Sequence, residues 1–296
     1  MIVKTMVKPN FFIVGAPKAG TTSIFNYLKN HPEVFLPLVK EPNFFSHKEL
    51  LSERLYYKES IIISDIASYE KLFINAKRHK AVGEASVSYL FYESVPQRIK
   101  QYSPNAKVII LLRNPIDRAY SHYLMDYRSG YIDEDFDKVV ENVNWRTMHP
   151  LRYRQVIDLG FYSEQVERYL RIFSKRNVKI VLFDDLVEKS NSVMSQLADF
   201  LEIDKHRYGN INHVHNPFML PRTKWIDIVY RKPALRVFIK TLIPKKYKNN
   251  IKNIILSKAD KNGIDLNVRK SLAAMYLDDI KCLSRMIDRD LLDWMI

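Results

Sequence analysis

The stretch that decides the fold is residues 11–23, which read Phe11-Phe12-Ile13-Val14-Gly15-Ala16-Pro17-Lys18-Ala19-Gly20-Thr21-Thr22-Ser23. The apolar residues at its start predict a buried strand, and the hydroxyl residues after Gly20 predict the first turn of a helix. Gly15 and Gly20 stand at the separation of the two glycines in G-x-x-x-x-G-K-[ST], the phosphate-binding loop. Backbone N–H groups at such a helix start converge on an anion. The sequence therefore predicts a strand, a loop and a helix that bind a phosphate-like group.

The lysine of this loop is displaced from the position that nucleotide triphosphatases use. Those proteins carry a lysine directly after the second glycine and hold Mg²⁺ with a neighbouring acid. Here Thr21 follows Gly20, the lysine lies inside the loop at Lys18, and the apolar run 107–112 ends in Arg113. An arginine at a strand end offers a bidentate contact to an anion. The pattern therefore favours a ligand with two anionic groups over a nucleotide triphosphate with Mg²⁺.

Short apolar runs alternate with amphipathic stretches along the chain. This predicts an α/β fold, a three-layer sandwich with a central, mostly parallel sheet. The 296 residues are interpreted as a single domain, on which a basic helical C-terminal region at about 222–296 packs. The candidate strands are 11–15, 81–84, 107–112 and 178–183. The candidate helices are 22–29, 69–75, 93–102, 116–128, 136–142, 163–173, 186–201 and 267–286.

The composition is that of a globular chain, with 47% hydrophobic residues and a net charge of +14. Disordered, collagen-like and low-complexity classes are therefore excluded. The single cysteine, Cys282, excludes an intramolecular disulfide and a thiolate cluster for zinc or iron–sulfur. No apolar run approaches the roughly 20 residues of a membrane span, and no signal-peptide core fits at the start of the chain. We therefore expect a cytoplasmic protein.

The positive charge is concentrated in residues 222–258, which hold 11 Lys and Arg against one acid, Asp227. An ordinary solvated surface is one interpretation of such a run. The other is a docking surface for an anionic polymer or an acidic membrane, because apolar residues such as Trp225 and Phe238 interleave with the cations. No nucleic-acid partner is expected, because no zinc finger or RNA-recognition signature accompanies the charge.

Two segments carry a resemblance to a known family: residues 18–23, and Leu112-Arg113-Asn114-Pro115-Ile116-Asp117-Arg118-Ala119-Tyr120-Ser121-His122-Tyr123. They resemble, in the same order, the 5′-phosphosulfate loop and the 3′-phosphate segment of the sulfotransferases that use 3′-phosphoadenosine 5′-phosphosulfate (PAPS). Arg222 falls about where the family places a basic segment over the cofactor, although it is equally the first cation of the basic region. The resemblance implies a PAPS site made by Lys18, Ala19, Gly20, Thr21, Thr22, Ser23, Arg113, Ser121 and Arg222.

Sulfuryl transfer also needs a base for the proton of the acceptor. In this family the small-molecule branch uses a histidine, and the glycan branch that resembles heparan sulfotransferases uses a glutamate within Lys-Glu-Pro. This chain has Lys40-Glu41-Pro42, so the resemblance implies Glu41 as the base, with Lys18 as the cation that meets the leaving phosphate. A plain ion pair between Lys40 and Glu41 is the alternative interpretation of that segment. The other candidate bases are Glu84, His47 and His122.

Three functional hypotheses follow. The leading one is a sulfotransferase that moves a sulfuryl group from PAPS to a hydroxyl or amine of an acceptor, with no metal required. The expected acceptor is a carbohydrate or glycolipid, and the alternative is another small acceptor; an anionic acceptor is compatible with both. The second is a P-loop kinase or ATPase. The third is a catalytically silent anion-binding module on the same scaffold, held near a membrane surface by the basic region.

Overall fold

The computed structural model describes residues 7–53, 61–205, 219–221, 256–258 and 263–295. The chain divides into two compact units. The first is drawn from Met1–Asn114, Phe161–His215 and Asp278–Leu291, and the second from Pro115–Gly160, Asn216–Leu277 and Leu292–Ile296. Arg222 and most of the basic region 222–258 lie outside the described residues. The single-domain interpretation stays a prediction.

Five strands form the sheet of the first unit: β1 (Phe11–Gly15), β2 (Val34–Phe35), β3 (Ala81–Ala85), β4 (Lys107–Leu112) and β5 (Val178–Leu182). All their pairings are parallel, in the order β2-β3-β1-β4-β5. Every residue of β1 and β3 is buried, as expected of parallel strands covered by helices. The predicted α/β class with a parallel central sheet is confirmed.

The helices of the described residues are, in chain order, α1 (Thr21–Lys29), α2 (His47–Ser52), α3 (Ile66–Lys71), α4 (Val95–Tyr102), α5 (Pro115–Ser129), α6 (Phe136–Glu141), α7 (Trp145–Met148), α8 (Pro150–Val156), α9 (Ser163–Phe173), α10 (Phe183–Glu188), α11 (Ser190–Leu201) and α12 (Leu266–Ile287). Short 3₁₀ helices occupy Phe44–Ser46, Val87–Tyr89, Asp158–Gly160, Lys175–Asn177 and Leu292–Met295. Within the described residues, no helix combines the length and apolarity that a membrane crossing requires.

Two helix predictions differ from the structure. The single helix predicted over 186–201 is two helices, α10 and α11, because Lys189 between them leaves the helical region at φ −131° and ψ 41°. The helix predicted over 69–75 begins earlier, at Ile66, where the side chain of Asp65 caps it by accepting from the Ser68 N–H at 2.8 Å. The sequence did not predict four short elements, namely β2, α2, α7 and α8. Elements of this length are too short to show a clear hydrophobic periodicity.

The second unit is organised around α5. Its Arg118 is fully buried and donates from Nη1 to the carbonyl of Gln155 at 3.0 Å and from Nη2 to the carbonyl of Val156. These carbonyls lie at the C-terminal end of α8, where a cation is favoured by the helix dipole. Tyr276 donates to the carbonyl of Ile157 at 2.8 Å. The same unit contains an antiparallel pair of strands, β6 (Met219–Pro221) and β7 (Leu256–Lys258).

The carboxyl edge of the first unit's sheet gathers the predicted site segments. Parallel strands end at the same edge, and β1 lies between β3 and β4. Ile13 of β1 pairs with Ala85 of β3 on one side and with Ile109 of β4 on the other. The chain also changes sides at β1, since β2 and β3 lie on one flank and β4 and β5 on the other. Open α/β sheets bind their ligands at such a switch point.

Candidate active site

The loop between β1 and α1, which the sequence predicts to bind an anion, contains residues with a left-handed backbone. Gly20 caps the helix in a left-handed conformation, with φ 90° and ψ 10°, and Lys18 is also left-handed, with φ 66°. The first turn of α1 carries the three predicted hydroxyl residues, of which Thr21 and Ser23 are buried and Thr22 is partly exposed. The positive end of the helix dipole therefore lies behind a loop that carries a lysine.

Both glycines of the loop have a positive φ, 151° for Gly15 and 90° for Gly20, and both have close neighbours. A Cβ on Gly20 would lie 3.1 Å from carbon atoms of both Phe183 and Leu186, at the start of α10. A Cβ on Gly15 would lie 2.7 Å from the Cβ of Leu90, which follows β3. The segments after β5 and β3 therefore hold the loop from two sides.

Arg113 reaches the same loop from the end of β4. Its side chain is 8% exposed, and its Nη1 donates to the backbone carbonyl of Lys18 at 3.3 Å. The guanidinium carbon lies 4.7 Å from the ring centre of Phe183, a cation–π contact. The structure thus brings the predicted Arg113 together with the predicted phosphate loop, and adds Phe183 to the site.

The Lys-Glu-Pro segment is attached to the carboxyl end of β3. The N–H of Glu41 donates to the carbonyl of Ala85 at 2.8 Å, and Glu41 is left-handed, with φ 61°. Its Oε1 accepts from the Nζ of Lys40 at 2.5 Å, so the ion pair of the alternative interpretation does exist. The Glu41 side chain is nevertheless 37% exposed, which leaves its carboxylate accessible to a substrate.

Of the other candidate bases, Glu84 and His122 are buried, whereas His47 is partly exposed. Glu84 is fully buried on β3. Burial raises its pKa to about 7, although the hydroxyls of Tyr89, Tyr69 and Ser86 partly oppose that shift. The Nδ1 of His47 lies 2.5 Å from the carbonyl of Phe44. His122 is 2% exposed, in the second unit, with its Nδ1 3.2 Å from Arg118 Nη1.

Two predicted cofactor-binding residues remain, Ser121 for the 3′-phosphate and Arg222 over the cofactor. Ser121 lies on α5 in the second unit and is partly exposed. Arg222 falls outside the described residues. Among the residues that the structure does describe, no cluster of three or more His, Cys, Asp or Glu side chains is arranged to hold a metal ion.

Sequence reasoning missed the residues that hold this site in place. Asn43, Ser86 and Phe183 each make contacts that join distant segments. Asn43 gave a signal, since asparagine directly after Pro42 tolerates the left-handed backbone observed there, with φ 55°. Phe183 gave none, because a phenylalanine at a strand end is most simply a core residue.

Comparison with known proteins agrees with the observed fold. The family described as "Sulfotransferase domain" matches residues 8–261. The chain belongs to the sulfotransferase family. A solved sulfotransferase from Alicyclobacillus acidocaldarius superposes with a TM-score of 0.73 and 28% identity, covering 98% of this chain and 100% of that one.

Curated relatives of this sulfotransferase are named for carbohydrate acceptors. Human carbohydrate sulfotransferase 15 is 26% identical over 245 residues, which cover 66% of this chain and 44% of that protein. Human heparan sulfate glucosamine 3-O-sulfotransferase 6 is 27% identical over 216 residues, which cover 68% of this chain and 56% of that protein. The chain thus spans about half the length of the curated relatives it matches.

Proposed function

We propose that this sulfotransferase transfers a sulfuryl group from PAPS to a hydroxyl or amine of a carbohydrate acceptor, with Glu41 as the base. The observation that carries the proposal is the attachment of Glu41 to Ala85, which pairs with Ile13 just before the phosphate loop. The base and the anion loop therefore follow neighbouring strands at the same edge. An accessible carboxylate next to a lysine-bearing loop suits proton removal coupled to departure of an anion.

The proposed step is an in-line displacement at sulfur. The acceptor oxygen or nitrogen forms a bond to sulfur, while the bond from sulfur to the bridging oxygen of the phosphosulfate breaks. The proton of the acceptor passes to the Glu41 carboxylate. The electron pair of the broken bond stays on the leaving phosphate, and its charge is met by Lys18 and the N–H groups at the start of α1. Because these groups supply the positive charge, the proposal requires no metal.

The donor is proposed to bind at both ends. Residues 18–23 take the 5′-phosphosulfate, Arg113 takes the 3′-phosphate with help from Ser121, and Arg222 lies in a basic segment over the cofactor. Support comes from Arg113, whose buried guanidinium is held against Phe183 and the Lys18 carbonyl. A desolvated, oriented guanidinium binds phosphate well.

The acceptor is proposed to be a glycan or glycolipid. The names of the curated relatives and the Lys-Glu-Pro segment both favour a carbohydrate over a small phenol. We further propose a cytoplasmic enzyme, with the 11 cations of residues 222–258 attracting an anionic acceptor or an acidic membrane surface.

Transfer of ³⁵S from labelled PAPS to desulfated heparan and chondroitin oligosaccharides tests the proposal. Lys18→Ala and Glu41→Gln are each expected to lower turnover by about 10²-fold or more. Glu41→Gln is expected to keep the affinity for adenosine 3′,5′-bisphosphate (PAP), because the base does not hold the nucleotide. The matched controls are Lys175→Ala and Glu93→Gln, at exposed positions, and both are expected to keep full activity.

Three results would contradict the proposal. Full activity in Glu41→Gln would show that a residue other than Glu41 is the base. Thermal stabilisation by ATP with Mg²⁺ but not by PAP would favour the kinase hypothesis. PAP binding without transfer to sugars or to water would instead support the silent module.

A further inference from the structure

Residues 86–90, which we call the bridging turn, are tied to the strand that leads into the phosphate loop. The Ser86 N–H donates to the carbonyl of Ile13 at 3.1 Å, and the Leu90 N–H donates to the carbonyl of Val14 at 2.8 Å. Leu90 also closes over Gly15. The backbone at both ends of the bridging turn is thereby fixed to β1.

The side-chain hydroxyls of the bridging turn bind the segment that follows Glu41. The Asn43 N–H donates to Ser86 Oγ at 3.1 Å, and Ser88 Oγ donates to Asn43 Oδ1 at 2.7 Å. The Phe45 N–H donates to the hydroxyl of Tyr89 at 3.1 Å. One turn therefore binds the end of β1 and the base-bearing segment at the same time.

Asn43 completes this connection with its side-chain amide. Its Nδ2 donates to the carbonyl of Glu41 at 2.7 Å and to the carbonyl of Ile61 at 3.0 Å. The Asn43 residue itself is 6% exposed. Glu41 and Asn43 are both left-handed, which costs about 1 kcal/mol for a residue with a side chain. The hydrogen bonds from the side-chain amide of Asn43 offset that cost and fix the backbone of Glu41.

We infer that Asn43 and Ser86 are positioning residues that set the place of the Glu41 carboxylate relative to the phosphate loop. The inference rests on the proposed function in that Glu41 is its base. The bonds run from β1 through Ser86 to Asn43 and end on the Glu41 backbone. Asn43 thus acts through Glu41 and takes no part in donor binding.

The first test needs neither donor nor acceptor. Asn43→Gly removes the side chain but permits the left-handed backbone. Amide hydrogen exchange at Glu41 is expected to accelerate at least tenfold in this variant, while exchange at Ser23 and Ile24 in α1 stays within twofold. Equal acceleration at all three amides, or none at Glu41, would overturn the inference. This test is independent of whether the chain transfers sulfate.

The second test separates positioning from general stability. Asn43→Gly is expected to lower kcat by 10- to 100-fold, both for hydrolysis of PAPS and for sulfuryl transfer to desulfated heparan and chondroitin oligosaccharides. Its affinity for PAP is expected to stay within twofold of the wild-type value. In a Glu41→Gln background the same substitution is expected to have no further effect, since its route to the reaction is already removed. An equal loss in both backgrounds, or a parallel loss of PAP affinity, would show a merely structural role.

Matched variants complete the design. Asn10 joins β1 to β3 at the opposite edge, with Nδ2 donating to the Lys80 carbonyl at 3.0 Å and Oδ1 accepting from the Val82 N–H at 2.9 Å. Asn10→Ala is expected to lower the melting temperature and keep kcat. Where Asn43→Gly does not fold, Ser86→Ala takes its place, with an expected loss of 3- to 10-fold in kcat. A transferring enzyme that needs Glu41 but tolerates both substitutions would refute the inference and leave the proposed function standing.

Discussion

The hydroxyl of Tyr162 donates a hydrogen bond of 3.1 Å to the backbone carbonyl of Arg113. Tyr162 is itself fixed from the C-terminal helix, because its N–H donates to Asp279 at 2.7 Å and the Ser163 N–H donates to the same carboxylate at 3.0 Å. Asp279 thereby caps the start of α9. A residue late in the chain thus orients the arginine at the end of β4.

Tyr162→Phe is expected to cost about 1 kcal/mol of unfolding free energy and to weaken PAP binding several-fold, because the Arg113 backbone loses a partner. Urea unfolding and calorimetric titration with PAP measure the two effects. The matched control is Tyr276→Phe, which loses a similar bond to the Ile157 carbonyl in the second unit. It is expected to lose stability alone, and equal weakening of PAP binding by both variants would disprove a specific role for Tyr162.

Gly20→Ala is expected to destabilise the fold by about 1–2 kcal/mol and to abolish measurable PAP binding. The alanine meets Phe183 and Leu186 and must adopt a left-handed backbone. Gly130→Ala is the control, since Gly130 is also left-handed, with φ 74°, but lies after α5. The control is expected to share the backbone cost and keep PAP affinity, as measured by urea unfolding and titration. Retained PAP affinity in Gly20→Ala would count against the loop as the anion site.

Glu84 is expected to make stability fall as the pH rises from about 4.5 to about 7. In that range the unfolded chain releases the proton of Glu84, whereas the folded chain keeps it because burial raises the pKa to about 7. The linked loss is about 3 kcal/mol. Glu84→Gln is expected to remove this slope in urea unfolding measured at pH 5 and pH 8. The exposed Glu93→Gln is expected to keep it, and an unchanged slope in Glu84→Gln would refute the assignment.

Glu49 is expected to make stability rise with pH, which is opposite to the effect of Glu84, and to do so in a lower pH range. Burial alone would raise its pKa, but hydrogen bonds from Arg98 and Ser94 outweigh burial and lower the pKa to about 2. Arg98 grips Glu49 with two bonds of 2.7 and 2.8 Å and also donates to the Phe45 carbonyl at 2.6 Å. With allowance for solvent screening of this half-buried pair, about 2 kcal/mol of stability is expected to disappear as the pH falls from about 4.5 to 2.

Acid unfolding of Glu49→Gln checks this expectation. The variant is expected to start less stable at pH 6 and to show a flatter dependence below pH 4.5. A wild-type dependence in the variant would assign the acid sensitivity to other carboxylates.

Local patterns sufficed for the parts of the fold that are contiguous in sequence. The apolar runs of β1 and β4 and the glycine spacing of the phosphate loop predict both strands and the helix start, and they put Arg113 at a strand end. Packing between strands that are distant in sequence cannot be predicted from such local patterns. The contact of Gly20 with Phe183, and the bond of Asn43 to Ser86 across 43 positions, depend on how separate strands are ordered. The degree of burial of Glu41 and Glu84 likewise required the folded chain, since the sequence shows only that Glu41 precedes a proline and that Glu84 ends a predicted strand.

The order β3-β1-β4 also has a consequence for engineering. The proposed donor site is distributed over the ends of β1 and β4, whereas the chain beyond Asn43 leaves from the β3 flank. Under the proposed function, transplanting that flank from a relative with a different acceptor should therefore retarget the enzyme without rebuilding the proposed nucleotide site, provided that the graft keeps Ser86 and Asn43, which join the flank to β1.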